Sequence, residues 1–321
     1  MISLLLTSVV LVVTELIYFR LADLWNIIDK PNERSSHTHM TLRGGGIIFP
    51  IAAVFFFAMS SFTYTWFILG LIIISVISFW DDMKPLSTTV RLVTHLLAVL
   101  FMFHQLGLFS ESILLILILL ILCVGIINAY NFMDGINGIT GGYSFVILGS
   151  LAWVNHFYVS FVVPELLGMI LVSLLVFNFF NFRTKAKCFA GDVGSVSIAY
   201  ITLFVLGILM LKTQDPSWIC FLVVYGVDSV LTIIHRILLK ENITKPHRKH
   251  LYQLLVNELK LSHVLVALIY ALVQLIIIIC YLLCRLWGAW VVWSYIGIVI
   301  FLLVCLYCMA IRKWFHLHPL S

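Results

Sequence analysis

Eleven runs of apolar residues, most of them about as long as a bilayer is thick, dominate this chain. They lie at 2–20, 46–62, 65–80, 90–108, 112–130, 139–158, 164–182, 193–211, 218–239, 262–283 and 287–311. A helix needs about 20 such residues to cross a hydrocarbon core of about 30 Å. Lipid offers no partner to backbone N–H and C=O groups, so helices are the spanning element at this hydrophobicity. Only 10% of the residues are charged and 63% are hydrophobic, where a soluble domain carries about 25% charged residues. One water-soluble core cannot hide that much apolar surface. A soluble enzyme, a nucleic-acid binder and a disordered chain are thereby excluded. The expectation is a single all-α integral membrane domain over residues 1–321, a polytopic transmembrane bundle of about 11 spans with the lipid bilayer as a partner.

Basic residues orient the bundle. Loops on one side hold Arg20, Lys30, Arg34 and Arg43, then Lys84 and Arg91, Arg183, Lys185 and Lys187, the six from Arg236 to Lys260, and Arg312 with Lys313. The other side has only Lys212 and Arg285 of the 19 Lys and Arg residues. Excess Lys and Arg mark the cytosolic side, which puts the N-terminus outside and the C-terminus in the cytosol. The first segment has no basic start and no small-residue cleavage site, so it reads as a retained span. Six of the seven cysteines fall in apolar runs and Cys188 alone in a polar one. No spacing among them reads as a disulfide framework or a zinc site.

The motif-like polar residues collect on the basic side. The five loops there are 29–46 (DKPNERSSHTHMTLRGGG), 80–91, 128–142, 181–195 and 240–253, whereas the opposite loops are short and bland. Asp81, Asp82, Asp134 and Asp192 are each expected a few residues before the cytosolic start of a span. A lone acid there is often only a helix cap. Four at three neighbouring helix starts suit a hard divalent cation, which takes one or two carboxylates plus phosphate oxygens. Glycines at 44–46, 135, 138, 141, 142, 191 and 194 allow close approach of a ligand, or close helix packing. His247, Arg248, Lys249 and His250 read either as attraction to lipid headgroups or as a diphosphate clamp. Asp228, expected inside the ninth span, is a functional candidate by its depth in the membrane, or a partner for Arg236.

On these residues the chain resembles the polyprenyl-phosphate N-acetylhexosamine-1-phosphate transferases, glycosyltransferase family 4. Asp81-Asp82 matches the family's paired aspartates, and Asn128–Gly138 its Asn-x-x-Asn-x-x-Asp-Gly-x-Asp-Gly stretch. Gly191–Ser195 matches Gly-Asp-x-Gly-Ser, and the fifth loop matches the last, His-rich motif. PNERSSH…RGGG and HRKHLYQ look closest to the branch that initiates O-antigen and capsule synthesis. Two departures stand out: Asn137 occupies a position that is Asp in most bacterial members, and Met40 one that is usually proline.

The resemblance implies transfer of a sugar-1-phosphate from a UDP-N-acetylhexosamine donor to undecaprenyl phosphate, with release of UMP. It implies Mg²⁺ as cofactor, with Mn²⁺ as a substitute, held by Asp192 and completed by Asn131. Asp81 and Asp82 would position or deprotonate the lipid phosphate, or assist the metal. Asp134, Gly135 and Asn137 would line the uridine pocket. His247, Arg248 and His250 would hold the diphosphate or sugar, with Lys84, Arg43 and His37 as further phosphate contacts. The setting implied is the bacterial inner membrane, with the active site on the cytosolic face and a role in cell-surface polysaccharide synthesis. The sequence leaves the sugar and homodimer assembly open. The rival reading is an ion-coupled secondary transporter, which predicts acids near mid-membrane and related halves; the acids here lie at the membrane face and no such symmetry is visible.

Overall fold

A helix occupies each of the eleven apolar segments in the computed structural model, which describes residues 2–29, 40–242 and 248–313. In chain order these are α1 (Ile2–Leu24), α2 (Ile48–Met59), α3 (Thr65–Met83), α4 (Thr88–Gln105), α5 (Ile113–Met133) and α6 (Ile139–Phe157). There follow α7 (Pro164–Asn181), α8 (Gly191–Thr213), α9 (Val223–Leu238), the short α10 (Leu251–Asn257), α11 (His263–Cys284) and α12 (Ala289–Lys313). Two-residue strands β1 (Ile28–Asp29) and β2 (Thr41–Leu42) pair antiparallel, Ile28 opposite Leu42 and Asp29 opposite Thr41. The chain is thus nearly all α, as expected.

Serine marks several of the starts. Ser87, Ser112 and Ser262 each accept a hydrogen bond from the backbone N–H three residues on, at 3.2–3.3 Å, which satisfies a donor that a helix start leaves free. Among the described residues, seven helices are long and apolar enough to cross a membrane: α3, α5, α7, α8, α11, α12, and α9 counted from the 3₁₀ turn at Pro216. The others carry polar side chains turned inward, such as buried Glu15 on α1, His95 on α4 and Asn155 on α6, or are short, as α2 is at 12 residues.

Helix α8 is the axis of the bundle, buried along most of its length. Its own composition explains the position. In lipid, helices associate through close packing rather than through exclusion of water, and small residues permit that. Cα of Gly194 lies where a side chain on Gly46 would have to stand, so the start of α2 crosses α8 backbone on backbone. Further along, Phe204 of α8 stacks on Phe67 of α3 with ring centroids 3.9 Å apart, and Tyr200 donates to the carbonyl of Ala98 on α4 at 2.9 Å. By contrast α5 and α12 turn large apolar side chains outward, Ile121 and Trp290 among them.

One sequence expectation changes here. Asp192 does stand in the first turn of α8, but Asp81 and Asp82 lie in the last turn of α3, and Asp134 follows the end of α5. Acids at a helix C-terminus oppose its dipole. Asp82 offsets that cost across space, because it serves α8 rather than its own helix. All seven cysteines are free. Burial pushes the Cys188 thiol well above its ordinary range, so it packs as an unreactive side chain.

Candidate active site

Loop one is pinned onto loop four by backbone hydrogen bonds. Phe189 N–H donates to Leu42 O at 2.8 Å, Gly45 N–H to Phe189 O at 2.9 Å and Gly46 N–H to Ala190 O at 3.0 Å. The Tyr18 hydroxyl donates to the Arg43 carbonyl. This fixes Arg43 above the head of α8. Its Nε lies 2.6 Å from Asp82 Oδ1 and a terminal nitrogen 3.2 Å from Asp192 Oδ1. Burial works against the Arg43 charge, but Asp82, Asp192 and Asp29 outweigh it and hold the guanidinium firmly protonated.

Asp82, whose side chain is fully buried, accepts from the N–H groups of Asp192 at 2.8 Å and Val193 at 3.0 Å. It therefore caps α8 from another helix. Gly191 is required beneath it, since its φ of +70° is left-handed and a Cβ there would stand 2.5 Å from Asp82 Oδ2. Asp81 is turned the other way: it accepts from Leu86 N–H and faces Arg91 at 3.5 Å. Its carboxyl also hydrogen-bonds that of Asp192.

These groups edge a polar cavity of about 240 Å³, where Arg43 and Asp192 meet Asn131, the 134–137 turn, Gln253 and His263. Asn131 Oδ1 accepts from Ser195 at 2.9 Å. Asp134 is partly buried. Burial pushes its carboxyl up to about 7; a hydrogen bond from Thr140 opposes this and the charge of Asp82 adds to it. Asn137 donates to the carbonyls of Arg183 at 2.9 Å and Thr184 at 3.2 Å, so it ties loop three to loop four as well as lining the cavity. Gly135 leaves room for the Tyr252 hydroxyl, which donates to Phe132 O at 3.0 Å.

The remaining sequence candidates lie elsewhere. His37 and His247 fall outside the described residues. Lys84 is exposed at the end of α3, and neither it nor Arg248 lines the cavity. His250 is buried away from the cavity, with Nδ1 3.3 Å from Asp228. Asp228 also accepts from Tyr270 at 2.7 Å and from Leu251 N–H at 3.0 Å. Arg236 instead pairs with Glu241 at 3.1 Å. Asp29, Gln253 and His263 are cavity residues that the sequence reading did not single out. Asp29 was legible as the acid opening loop one; nothing local marks the other two.

Hard oxygen donors suit a small divalent cation here. Two carboxyl groups, Asp81 and Asp192, lie in hydrogen-bonding contact, a place where either a shared proton or a cation relieves repulsion. The Asn131 carbonyl lies on the same cavity wall as Asp192. Among the described residues, no group of three or more His, Cys, Asp or Glu side chains is placed to hold a metal ion.

A multi-helix membrane protein with an acid-and-arginine cavity at the convergent ends of α3, α5 and α8 is the class defined by this geometry. Comparison with known proteins makes it specific. Residues 64–212 match the model of glycosyl transferase family 4. The chain is 29% identical over 289 residues, 83% of its length and 79% of the relative's, to the probable undecaprenyl-phosphate N-acetylglucosaminyl 1-phosphate transferase of Bacillus subtilis (strain 168). It is 26% identical over 262 residues, 72% of its length and 70% of the relative's, to the undecaprenyl-phosphate alpha-N-acetylglucosaminyl 1-phosphate transferase of Yersinia pestis. A 92-residue stretch, 29% of the chain and 28% of the relative, is 33% identical to the phospho-N-acetylmuramoyl-pentapeptide-transferase of Lactobacillus delbrueckii subsp. bulgaricus (strain ATCC BAA-365 / Lb-18). These similarities point to the polyprenyl-phosphate N-acetylhexosamine-1-phosphate transferases as the family that the chain resembles over most of its length.

Proposed function

We propose that this protein transfers N-acetylglucosamine-1-phosphate, or that of a related N-acetylhexosamine, from a UDP-sugar to undecaprenyl phosphate at the cytosolic face of the bacterial inner membrane. An oxygen of the lipid phosphate bonds to the phosphorus bearing the sugar, the bond from that phosphorus to the bridging oxygen breaks, and UMP leaves with the electron pair. The carrying observation is Arg43, held over Asp192 by the buried Asp82 at the mouth of a polar cavity. Both reactants are anions, and their repulsion is the first barrier to in-line attack. With its back held by Asp82, Arg43 offers the remaining N–H edge to the donor diphosphate, a fork geometry matched to phosphate. The head of α8 adds its N–H groups and dipole.

Asp192 would hold Mg²⁺ (or Mn²⁺), with Asn131 and Asp81 beside it; the ion supplies charge neutralisation on the transferring phosphoryl group. Asp134 and Gly135 would meet the uridine, and the cap of Tyr252 and Gln253 would close that side. A phosphate monoester is already nucleophilic near neutral pH, so a strong general base is unnecessary. Eleven crossings, with the N-terminus outside and the C-terminus in the cytosol, complete the reading. Product lipid-linked sugar would initiate a cell-surface polysaccharide such as O-antigen.

The test is UMP release by purified protein given undecaprenyl phosphate, Mg²⁺ and a panel of UDP-N-acetylhexosamines. Release that depends on lipid, metal and one sugar is expected, and Asp192→Asn should lower it at least 100-fold at unchanged expression. Well-folded protein that releases no UMP with any sugar would sink the assignment.

A further inference from the structure

Helix α1 buries one stripe of side chains, Thr7, Leu11, Glu15, Tyr18 and Ala22, which recur at spacings of three and four. Its apolar neighbours Val12, Val13, Leu16 and Ile17 are exposed instead. An acid thus stands in the middle of the seam, where a span would ordinarily place an apolar residue. Glu15 has no exposed surface, and its Oε2 is buried with no hydrogen-bond partner among the described residues. An ionisable side chain inside a span is costly and marks a functional position by default. Its other oxygen shows what it serves. Glu15 Oε1 accepts from the Cys188 thiol at 3.7 Å. A Cβ on Gly45 would stand 2.6 Å from Cys188 Sγ and 3.1 Å from Glu15 Oε1, so the crossing of loops one and four rests on this carboxyl. Less than a turn further on, Tyr18 holds the Arg43 carbonyl. Cys188 opens a short strap, 188–190, tied on both edges. Asn181 donates to the Cys188 carbonyl at 2.8 Å, and the carbonyls of Phe189 and Ala190 accept from Gly45 and Gly46. Phe189 and Ala190 line the polar cavity, and Cys188 stands behind them.

We propose that Glu15 is a positioning residue for the polar cavity. Through Cys188 it fixes where Phe189 and Ala190 stand in the cavity wall. Through the Gly45 crossing it fixes where Arg43 stands over Asp192. A thiol is a weak hydrogen-bond donor, so the contact sets position more than stability. The strap and Arg43 form the side of the cavity assigned above to the nucleotide-sugar donor, so Glu15 acts on donor binding and not on the lipid phosphate. Only that choice of ligand rests on the proposed transfer; the hold of Glu15 on the strap does not.

Two readouts on the full chain in detergent test this, and the first needs no turnover. Cys188 is buried, so N-ethylmaleimide should alkylate it slowly, as followed by mass spectrometry of the peptide that contains it. In Glu15→Leu, whose new side chain suits the buried stripe, Cys188 should react about tenfold faster, because reactivity follows exposure. The second readout is UMP release. Glu15→Leu should raise the donor KM about tenfold and leave the acceptor KM within about twofold, the mark of a lost binding geometry. Glu15→Gln keeps a carbonyl acceptor for the thiol and should bring both readouts back near the wild type. Cys188→Ala breaks the same contact from the other side and should raise the donor KM alike; it carries the test if Glu15→Leu does not fold. A donor KM unchanged in both variants would overturn the proposal. So would equal rises in the two KM values, or a Glu15→Gln protein no better than Glu15→Leu, since either would make Glu15 a packing residue. Wild-type protein that releases no UMP would sink the transfer reading instead. The alkylation rates would then decide alone, and equal rates in wild type and Glu15→Leu would overturn the hold on the strap.

Discussion

Asp82 shows how much one side chain organises. Its two oxygens serve Arg43 and the first N–H groups of α8, so it fixes both the cation of the site and the helix that carries Asp192. Asp82→Ala strands a guanidinium and two helical donors. Breaking a buried pair in this way typically costs about 3–5 kcal/mol, and a clear fall in Tm together with loss of UMP release is expected. Asp82→Asn keeps one acceptor for α8, so it should recover most of the Tm but not the activity; full activity in Asp82→Asn would remove its charge from the mechanism. Asp134 makes a pH-dependent contribution. Its folded carboxyl sits at about 7, above the 3.8 of an unperturbed aspartate, so the neutral form is the one the fold prefers. That stability is fully present below about pH 3.8 and lost as pH rises through 7. Tm should therefore fall between pH 5 and pH 8, and Asp134→Asn should flatten the fall; identical slopes in the two proteins would contradict it.

At the scale of elements, what the sequence made legible and what it hid divide on physical lines. The eleven apolar segments were readable because lipid demands long uninterrupted runs, and the serine caps sharpened several starts. Helix α10 was not: its 7 residues lie in what reads as a basic loop, far below spanning length. It is held by one contact distant in sequence, Asp228 taking Leu251 N–H, and by its own N-cap, where Gln253 accepts from His250 N–H at 3.3 Å. Arg43, Asp82 and Asp192 were each legible as candidates from their motifs, yet the bridge among them spans 149 residues between Arg43 and Asp192, and no local spacing encodes it. Likewise the direction of the acids was misread, because a motif beside an apolar run does not say which helix end it belongs to. The role of α10 as a wall of the site can be checked. Asp228→Leu removes the acceptor for Tyr270, Leu251 and Thr232, which should loosen Gln253 and raise the donor KM about tenfold while leaving the acceptor KM within twofold. A variant with both constants unchanged would reduce α10 to a surface turn.

At the scale of the whole molecule, the two basic residues on the sparse side decide how firmly the chain is oriented. Arg285 is not a free charge. It pairs with Asp215, hydrogen-bonds the Tyr281 hydroxyl at 2.8 Å, and its guanidinium carbon lies 4.2 Å from the Trp218 ring centroid. An aromatic cage around a paired arginine suits a membrane interface, where an apolar body and a polar tip are both accommodated. Lys212 is the other Lys or Arg at that end, and Asp215 in its loop is already held by Arg285. The excess of Lys and Arg at the opposite end, where the cavity lies, is therefore larger in effect than a count of residues implies. Because the cavity is lined by the ends of α5 and α7, the 134–137 turn and the starts of α8 and α11, any site that uses it must face the compartment of those loops. A reporter fused after Ser321 and one inserted after Lys84 should both report cytosol, and a cysteine at Gln214 should react with an impermeant thiol reagent added from outside. A cytosolic signal at Gln214 or an external one after Ser321 would invert the bundle and strand the cavity away from a nucleotide-sugar donor.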